Sequence, residues 1–321
     1  MKAKLPIIIV LLVALILRLF QLGSLPVSLF GDEIDVGYHA WSLATTFRDY
    51  RGNFLPTYIQ SLSEARAPLL MYLTAPFIGL LGPSNFSVRL PSALMGVASL
   101  YLVYLLTNLL FPKKEPGLIA AIVLAFAPWH LHYSRSAFEL TTLFFLTLLG
   151  VYWYLLGREE PKFYRLFLFP LVLTFYTYST ANLFTPILVV LLLLLFPPDF
   201  KKVGNRATAL SLTFGLLLFL PILYHLTFGA AAGRFRLINI FSDKKIIDQV
   251  IIDRTRPWVV NPTLEKIFHN KATTFLAAFG TNYLTPFSTE FLFISGDPNF
   301  RQSISRFGQL LVIFAPFLLV G

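Results

Sequence analysis

Val88–Phe111 reads VRLPSALMGVASLYLVYLLTNLLF, with one charged residue, Arg89, near its start. About 20 mostly apolar residues suffice for a helix to cross the hydrocarbon layer of a bilayer. This run exceeds that, and it is apolar on every face, as a helix immersed in lipid or in a bundle core must be. It predicts a membrane span, and the rest of the chain agrees. Of the 321 residues, 56% are hydrophobic and 13% charged, and the mean hydropathy is +0.70. A soluble domain carries roughly 25% charged residues, so this chain has too little polar surface to coat a water-soluble globule.

Outward from that run, further spans are expected at Leu5–Leu22, Gly117–Tyr133, Thr141–Leu156, Phe163–Tyr178, Leu183–Phe196, Ala207–His225 and from about Phe307 onward. Leu5–Leu22 follows Lys2 and Lys4 but has no convincing small-residue cleavage site after it, so it reads as an uncleaved first span. Lys113–Lys114, Arg158 with Lys162 and Arg165, and Lys201–Lys202 with Arg206 lie in short connectors, which prefer the cytoplasm when basic. These connectors agree with one another only if the short apolar stretch Pro68–Gly82, broken by Pro76 and Gly79, makes no net crossing. It is expected to be a short or re-entrant helix covered by other protein. The segments 23–87, 134–140 and 226–306 then lie outside. The third is basic, but long loops translocate regardless of charge.

The expected fold is an all-α polytopic membrane protein with interfacial helices in its first outer loop, built as one domain over 1–321. Because the chain stops in an apolar run, it is expected to be a fragment of a longer protein. The net charge of +10 is spread over connectors and one long loop. It suits anionic lipid headgroups, and no basic groove motif supports nucleic acid. Cysteine is absent, which excludes disulfides and thiolate chemistry.

The residues able to do chemistry gather on the outer side. Gly31-Asp32-Glu33-Ile34-Asp35 places three carboxylates directly after the first span. Asp32 could cap a helix running through Tyr38 and Trp41, and a capping acid can also face a cavity. Ser134–Glu139 joins two spans in a tight turn, where Arg135 and Glu139 stand i,i+4 and could pair. Glu64 and Arg66 precede the short apolar stretch, and Arg89-Leu90-Pro91 is expected in a helix's first turn. Arg234 and Arg236 open the long outer loop, and Arg301 and Arg306 close it. Arginine suits bidentate phosphate recognition, although each one alone is explained by headgroup contact. None of the five histidines forms a zinc pattern. A transporter or lipid flippase is the competing class, but it should carry ionisable residues at mid-span and paired repeats. Neither is visible.

The Asp-Glu pair after the first span, Arg66-Ala67-Pro68, "NFSVRLPSALMG" (85–96) and "HYSRSAFE" (132–139) occur in an order that resembles the GT-C glycosyltransferases. The protein O-mannosyltransferase and lipid A aminoarabinose transferase group is nearest, and 285–310 resembles the outer loop of bacterial members. The resemblance implies an outer-face cavity for a polyprenyl-phosphate sugar and an inverting transfer to a lipid, glycan or protein hydroxyl. It implies that Asp32 is the catalytic base with Glu33 beside it, and it matches Glu139 to the family's second outer acid. Arg135, Arg66, Glu64, Arg234 and Arg301 complete the expected substrate-binding set. No cofactor is required, and a divalent metal is left open. The aminoarabinose branch has a metal-linked Glu before its Pro, where this chain has Ala67. The implied setting is a bacterial or archaeal plasma membrane.

The topology has a direct check. In a Lys113→Cys variant of this cysteine-free chain, an impermeant thiol reagent should label position 113 only after the cells are permeabilised. Labelling from outside intact cells would overturn the arrangement.

Overall fold

A computed structural model describes residues 5–61, 65–113, 115–198, 206–228, 244–255, 266–299, 301–304 and 306–320. The chain divides into two compact units, Met1–Ala231 and Ala232–Gly321. Among the described residues the first unit is helical apart from one two-stranded antiparallel pair, in which Ile59 faces Arg66 and Gln60 faces Ala65.

The first unit runs α1 (Leu5–Leu19), α2 (Gly31–Thr46), β1 (Ile59–Gln60), β2 (Ala65–Arg66), α3 (Leu69–Leu81), α4 (Asn85–Leu110), α5 (Glu115–Phe126), α6 (Pro128–Ser134), α7 (Glu139–Leu156), α8 (Leu168–Thr174), α9 (Ala181–Leu195) and a helix over Arg206–Thr227. Two of these, α4 and α7, are long and apolar enough to cross a membrane. The bent pair α5–α6 makes a third if counted as one span. Its 64° bend falls at Ala127, immediately before Pro128, which takes the first position of α6 as a residue without an N–H can. Shorter apolar helices are α1, α3, α9 and Leu212–His225.

Two expectations shift, and a third, the short helix at Pro68–Gly82, is met in length. The helix carrying Arg89 begins earlier than Arg89-Leu90-Pro91, because Ser84 caps it by accepting the Ser87 N–H while Ser87 Oγ accepts the Ser84 N–H. Pro91 therefore lies inside the helix and not in its first turn. The run Phe163–Tyr178 is not one helix. A 3₁₀ turn over Pro161–Arg165 leads to the seven-residue α8, where Pro170 has no N–H to extend the helix backward. Pro68–Gly82 forms α3, thirteen residues or about 20 Å long at 1.5 Å per residue. That is short of a bilayer's hydrocarbon thickness.

The interior of the first unit is a series of separate clusters. Val36, Ala40 and Leu43 of α2 pack on Leu70, Met71, Ala75 and Ile78 of α3, closed by Ile59, Val88 and Ala137. Ala14, Leu100 and Ala125 join α1, α4 and α5. Tyr154, Leu155, Tyr164 and Leu192 gather near the C-terminal ends of α7 and α9. Gly37 lets α2 reach α4, since a Cβ there would stand 2.8 Å from a Val88 methyl. At Gly96 a Cβ would collide with Ser134, which brings α4 against α6.

Two arginines organise the chain between α1 and α2. Arg135 donates to the carbonyls of Leu17, Arg18, Phe20 and Leu25. Arg89, wholly buried, donates to those of Leu22, Pro26 and Ser28 and grips Glu33 with Nε and Nη2 at 2.9 and 3.1 Å. Backbone carbonyls past a helix end have no ladder partner, and a buried one left unpaired is costly. The guanidinium forks supply those partners.

In the second unit the helices Lys244–Arg254 and Lys271–Leu284 pack together. Asn270 caps the latter by accepting the N–H groups of Ala272 and Thr273. The apolar run expected from Phe307 is described as a 3₁₀ turn over Val312–Phe314 and a helix over Ala315–Val320.

Removing one partner of a buried pair typically costs about 3–5 kcal/mol, because the other charge is stranded. Arg89→Ala should therefore lower the unfolding temperature in detergent sharply. Arg89→Lys should recover only part of the loss, since an ammonium cannot bridge Glu33 and three carbonyls. An unchanged Tm for Arg89→Ala would show that the fork is dispensable.

Candidate functional site

The first turn of α2 and the first turn of α7 converge on one side chain, Arg66 of β2. Its Nη1 donates to Asp32 Oδ1 at 3.3 Å and to Asp35 Oδ2 at 3.1 Å, and its Nη2 donates to Glu139 Oε1. Asp32 and Asp35 stand three apart and so share a helix face. Asp32 and Glu139 sit in the first turns of their helices, where the macrodipole and unpaired N–H groups favour negative charge, and Asp35 follows one turn on from Asp32. Short pairing of β1 with β2 carries Arg66 to this place: it aligns Ile59, buried in the α2–α3 core, with Arg66.

Arg66 is 4% exposed. Burial pulls its guanidinium pKa down, but Glu139 and Asp35 outweigh that and hold it above the ordinary arginine value. One guanidinium faces three carboxylates, so the cluster carries excess negative charge. The Arg66 side chain meets Asp35 and Glu139 deep in the fold, each about nine-tenths buried, whereas the Asp32 side chain is 25% exposed. Asp35 Oδ1 also accepts from Ser61 Oγ at 2.9 Å. Among the described residues, no three His, Cys, Asp or Glu side chains are arranged to hold a metal ion.

The structure separates two carboxylates that the sequence places side by side. Glu33 is 2% exposed and accepts from Arg89 Nε and the Ala137 N–H on Oε1, and from Arg89 Nη2 and the Phe30 N–H on Oε2. A carboxylate has about four acceptor positions, and all four are used. Glu33 also performs the capping expected of Asp32, because it reaches back to the Phe30 N–H in front of α2. The expected Arg135–Glu139 pairing is replaced. Arg135 turns to the carbonyls after α1, and Glu139 turns to Arg66.

Of the other expected binding residues, Glu64 and Arg234 lie outside the described residues. Arg301 belongs to the second unit, where its backbone N–H bonds Asn299 Oδ1 in a turn. Sequence reading missed Asp35 and Ser61 as partners in the cluster, and missed Arg89 as the partner of Glu33. The i,i+3 spacing of Asp32 and Asp35 was the one available signal. Nothing local points to Ser61.

The first unit thus combines helices of membrane-spanning length with a buried cluster of one arginine and three acids. The family model described as dolichyl-phosphate-mannose-protein mannosyltransferase matches residues 65–225, half of the chain, and the protein belongs to that GT-C glycosyltransferase family. The matched region contains Arg66, Arg89, Arg135 and Glu139, and starts after Asp32. Among solved structures the chain is similar to the archaeal oligosaccharyltransferase AglB from Archaeoglobus fulgidus, determined with an inhibitory peptide and a dolichol-phosphate. The TM-score is 0.51 at 16% identity, covering 87% of this chain and 37% of that one. This likeness supports the fold. A search of curated proteins gave no match. Family and helices alike are those of an integral membrane protein.

His39 gives the site a pH test. It is wholly buried beside Asp35, and desolvation pushes its imidazole below the ordinary 6.5, against the pull of Asp35 and Asp49. The folded state therefore binds this proton less readily than the unfolded state. Its contribution is fully favourable above about pH 6.5 and is lost as pH falls below that value. Thermal unfolding at pH 8 and pH 5.5 should show a smaller acid-induced drop for His39→Gln than for the wild type. Equal drops would mean that His39 does not titrate in this window.

Proposed function

We propose that this protein transfers a sugar from a polyprenyl-phosphate donor to an acceptor hydroxyl at the outer face of the membrane, with inversion, and with Asp32 as general base. The observation that carries this reading is the Arg66 cluster, which binds two helix N-termini into one acid-lined site and leaves Asp32 its most open carboxylate. Family membership supports the donor class. The dolichol-phosphate in the similar archaeal structure suits a lipid-phosphate carrier, and its peptide suits an acceptor on protein, with lipid or glycan hydroxyls as alternatives.

The chemistry suits these groups. An acceptor oxygen attacks the anomeric carbon from the face opposite the phosphate, and its proton passes to Asp32. The bond from carbon to phosphate oxygen breaks, and its electron pair leaves with the polyprenyl phosphate. One displacement needs one base and no covalent sugar–enzyme intermediate. Asp32 serves best because its single bond to Arg66 is the longest of the three, at 3.3 Å. Glu33 and Arg135 act instead as scaffold. The phosphate needs fixed positive charge. Arg66 and the N-termini of α2 and α7 provide part of it, and the acid excess calls for more.

Asp32→Asn keeps the shape and removes the basic oxygen. General-base catalysis is worth about 10²–10⁴-fold, so transfer of labelled sugar from a polyprenyl-phosphate donor in isolated membranes should fall by about that factor. Protein yield and donor binding should be retained. Near-wild-type transfer by Asp32→Asn would place the base on another carboxylate.

A further inference from the structure

His39 is wholly buried on α2, and neither of its ring nitrogens has a hydrogen-bond partner. Buried polar groups in native proteins are nearly always paired, and each exception needs an explanation. The ring lies against Tyr50, with centroids 4.3 Å apart, and its Nε2 stands 3.6 Å from Asp35 Oδ1, one helical turn away. That distance is too long for a hydrogen bond. The other charges around the ring are Asp49 and Arg51 of the loop after α2 and Arg66 of β2. Asp49 is already occupied by the backbone N–H groups of Arg51 and Asn53 and by the Asn53 amide. Asp35 is therefore the acceptor toward which an imidazole N–H can turn.

We propose that His39 is a positioning residue of the transfer site, a reserve donor whose Nε2–H secures Asp35 when Arg66 turns from it to the phosphate of the bound donor. In the free protein Asp35 is held by Ser61 Oγ on one oxygen and by Arg66 Nη1 on the other. The inference rests on the proposed reaction, because it is a phosphate that draws Arg66 away. A buried carboxylate that loses a charged donor is costly unless another donor replaces it. His39 is close enough to do so with a small rotation, and catalytic hydrogen bonds that are long in a free enzyme commonly tighten in the complex. Burial keeps the imidazole neutral near pH 7.5, so one nitrogen carries hydrogen and the other accepts.

The test compares His39→Gln, whose amide nitrogen reaches the position of Nε2, with His39→Asn, whose amide reaches only that of Nδ1. In His39→Asn, kcat should fall about 10–100-fold, the loss expected when a reacting group is misplaced, with little change in donor KM. His39→Gln should recover most of it. Equal kcat values for the two variants would overturn the proposal. Independently of activity, ¹⁵N NMR of histidine-labelled protein at pH 7.5 should show His39 as the neutral Nε2–H tautomer. An Nδ1–H tautomer or an imidazolium would also overturn it. The two readings fail separately: undiminished transfer by Asp32→Asn removes the proposed base and leaves the tautomer result standing, whereas an Nδ1–H tautomer removes His39 and leaves Asp32 in place.

Discussion

Arg89 holds the first unit together at the point where α4 meets α2 and the chain between α1 and α2. It is wholly buried, which would be prohibitive for an unpaired guanidinium. It becomes tolerable because every nitrogen has an acceptor: both oxygens of Glu33 and three carbonyls of the chain between α1 and α2. The same contacts fix the start of α2, because Glu33 also takes the Phe30 N–H, and fix the turn before α7, because it takes the Ala137 N–H. One ion pair thus ties α4, α2 and the α6–α7 turn into a single arrangement. Arg135 extends it by binding four more carbonyls, two in the last turn of α1 and two after it.

The Arg66 acid cluster is built on that frame. Glu33 and Asp32 are neighbours in α2, but they point to opposite fates. Glu33 turns inward to Arg89 and is fully saturated, whereas Asp32 turns toward Arg66 and keeps a quarter of its surface exposed. Adjacent helical positions face directions about 100° apart at 3.6 residues per turn, so one residue of offset separates the saturated carboxylate from the partly exposed one. Asp35, three residues on from Asp32, returns to the Arg66 side, accepts from Ser61 and lies beside His39. Charge confined to helix starts leaves the apolar lengths of α4 and α7 free to lie in lipid.

Several features needed no structure. Long apolar runs such as Val88–Phe111 and Thr141–Leu156 identify themselves, because burying a backbone in hydrocarbon permits little except a helix. Both occur within α4 and α7. The same argument fails for Phe163–Tyr178, where a 3₁₀ turn that begins at Pro161 takes up the start and Pro170 interrupts an apolar run whose average composition looks continuous. The acidic stretch 31–35 was visible as a chemical anomaly, and its order with Arg66-Ala67-Pro68 and the 132–139 turn was enough to suggest the family that the 65–225 match shows.

What composition and spacing determined, then, was the membrane class and the main apolar spans, while the order of motifs pointed to the family that the 65–225 match shows. What only the tertiary structure decided was the pairing of charges: Arg66 with Asp32, Asp35 and Glu139, Arg89 with Glu33, and Arg135 with backbone carbonyls. Local spacing favoured Arg135 with Glu139, since i,i+4 neighbours are close in any helix. The structure rejects that pairing because Arg135 precedes α7 and unpaired carbonyls at the end of α1 compete for it. A buried ion pair depends on desolvation and on partners up to 73 residues apart. Neither is written in the order of neighbouring residues, and so the different partners of Asp32 and Glu33 emerge only when the helices meet.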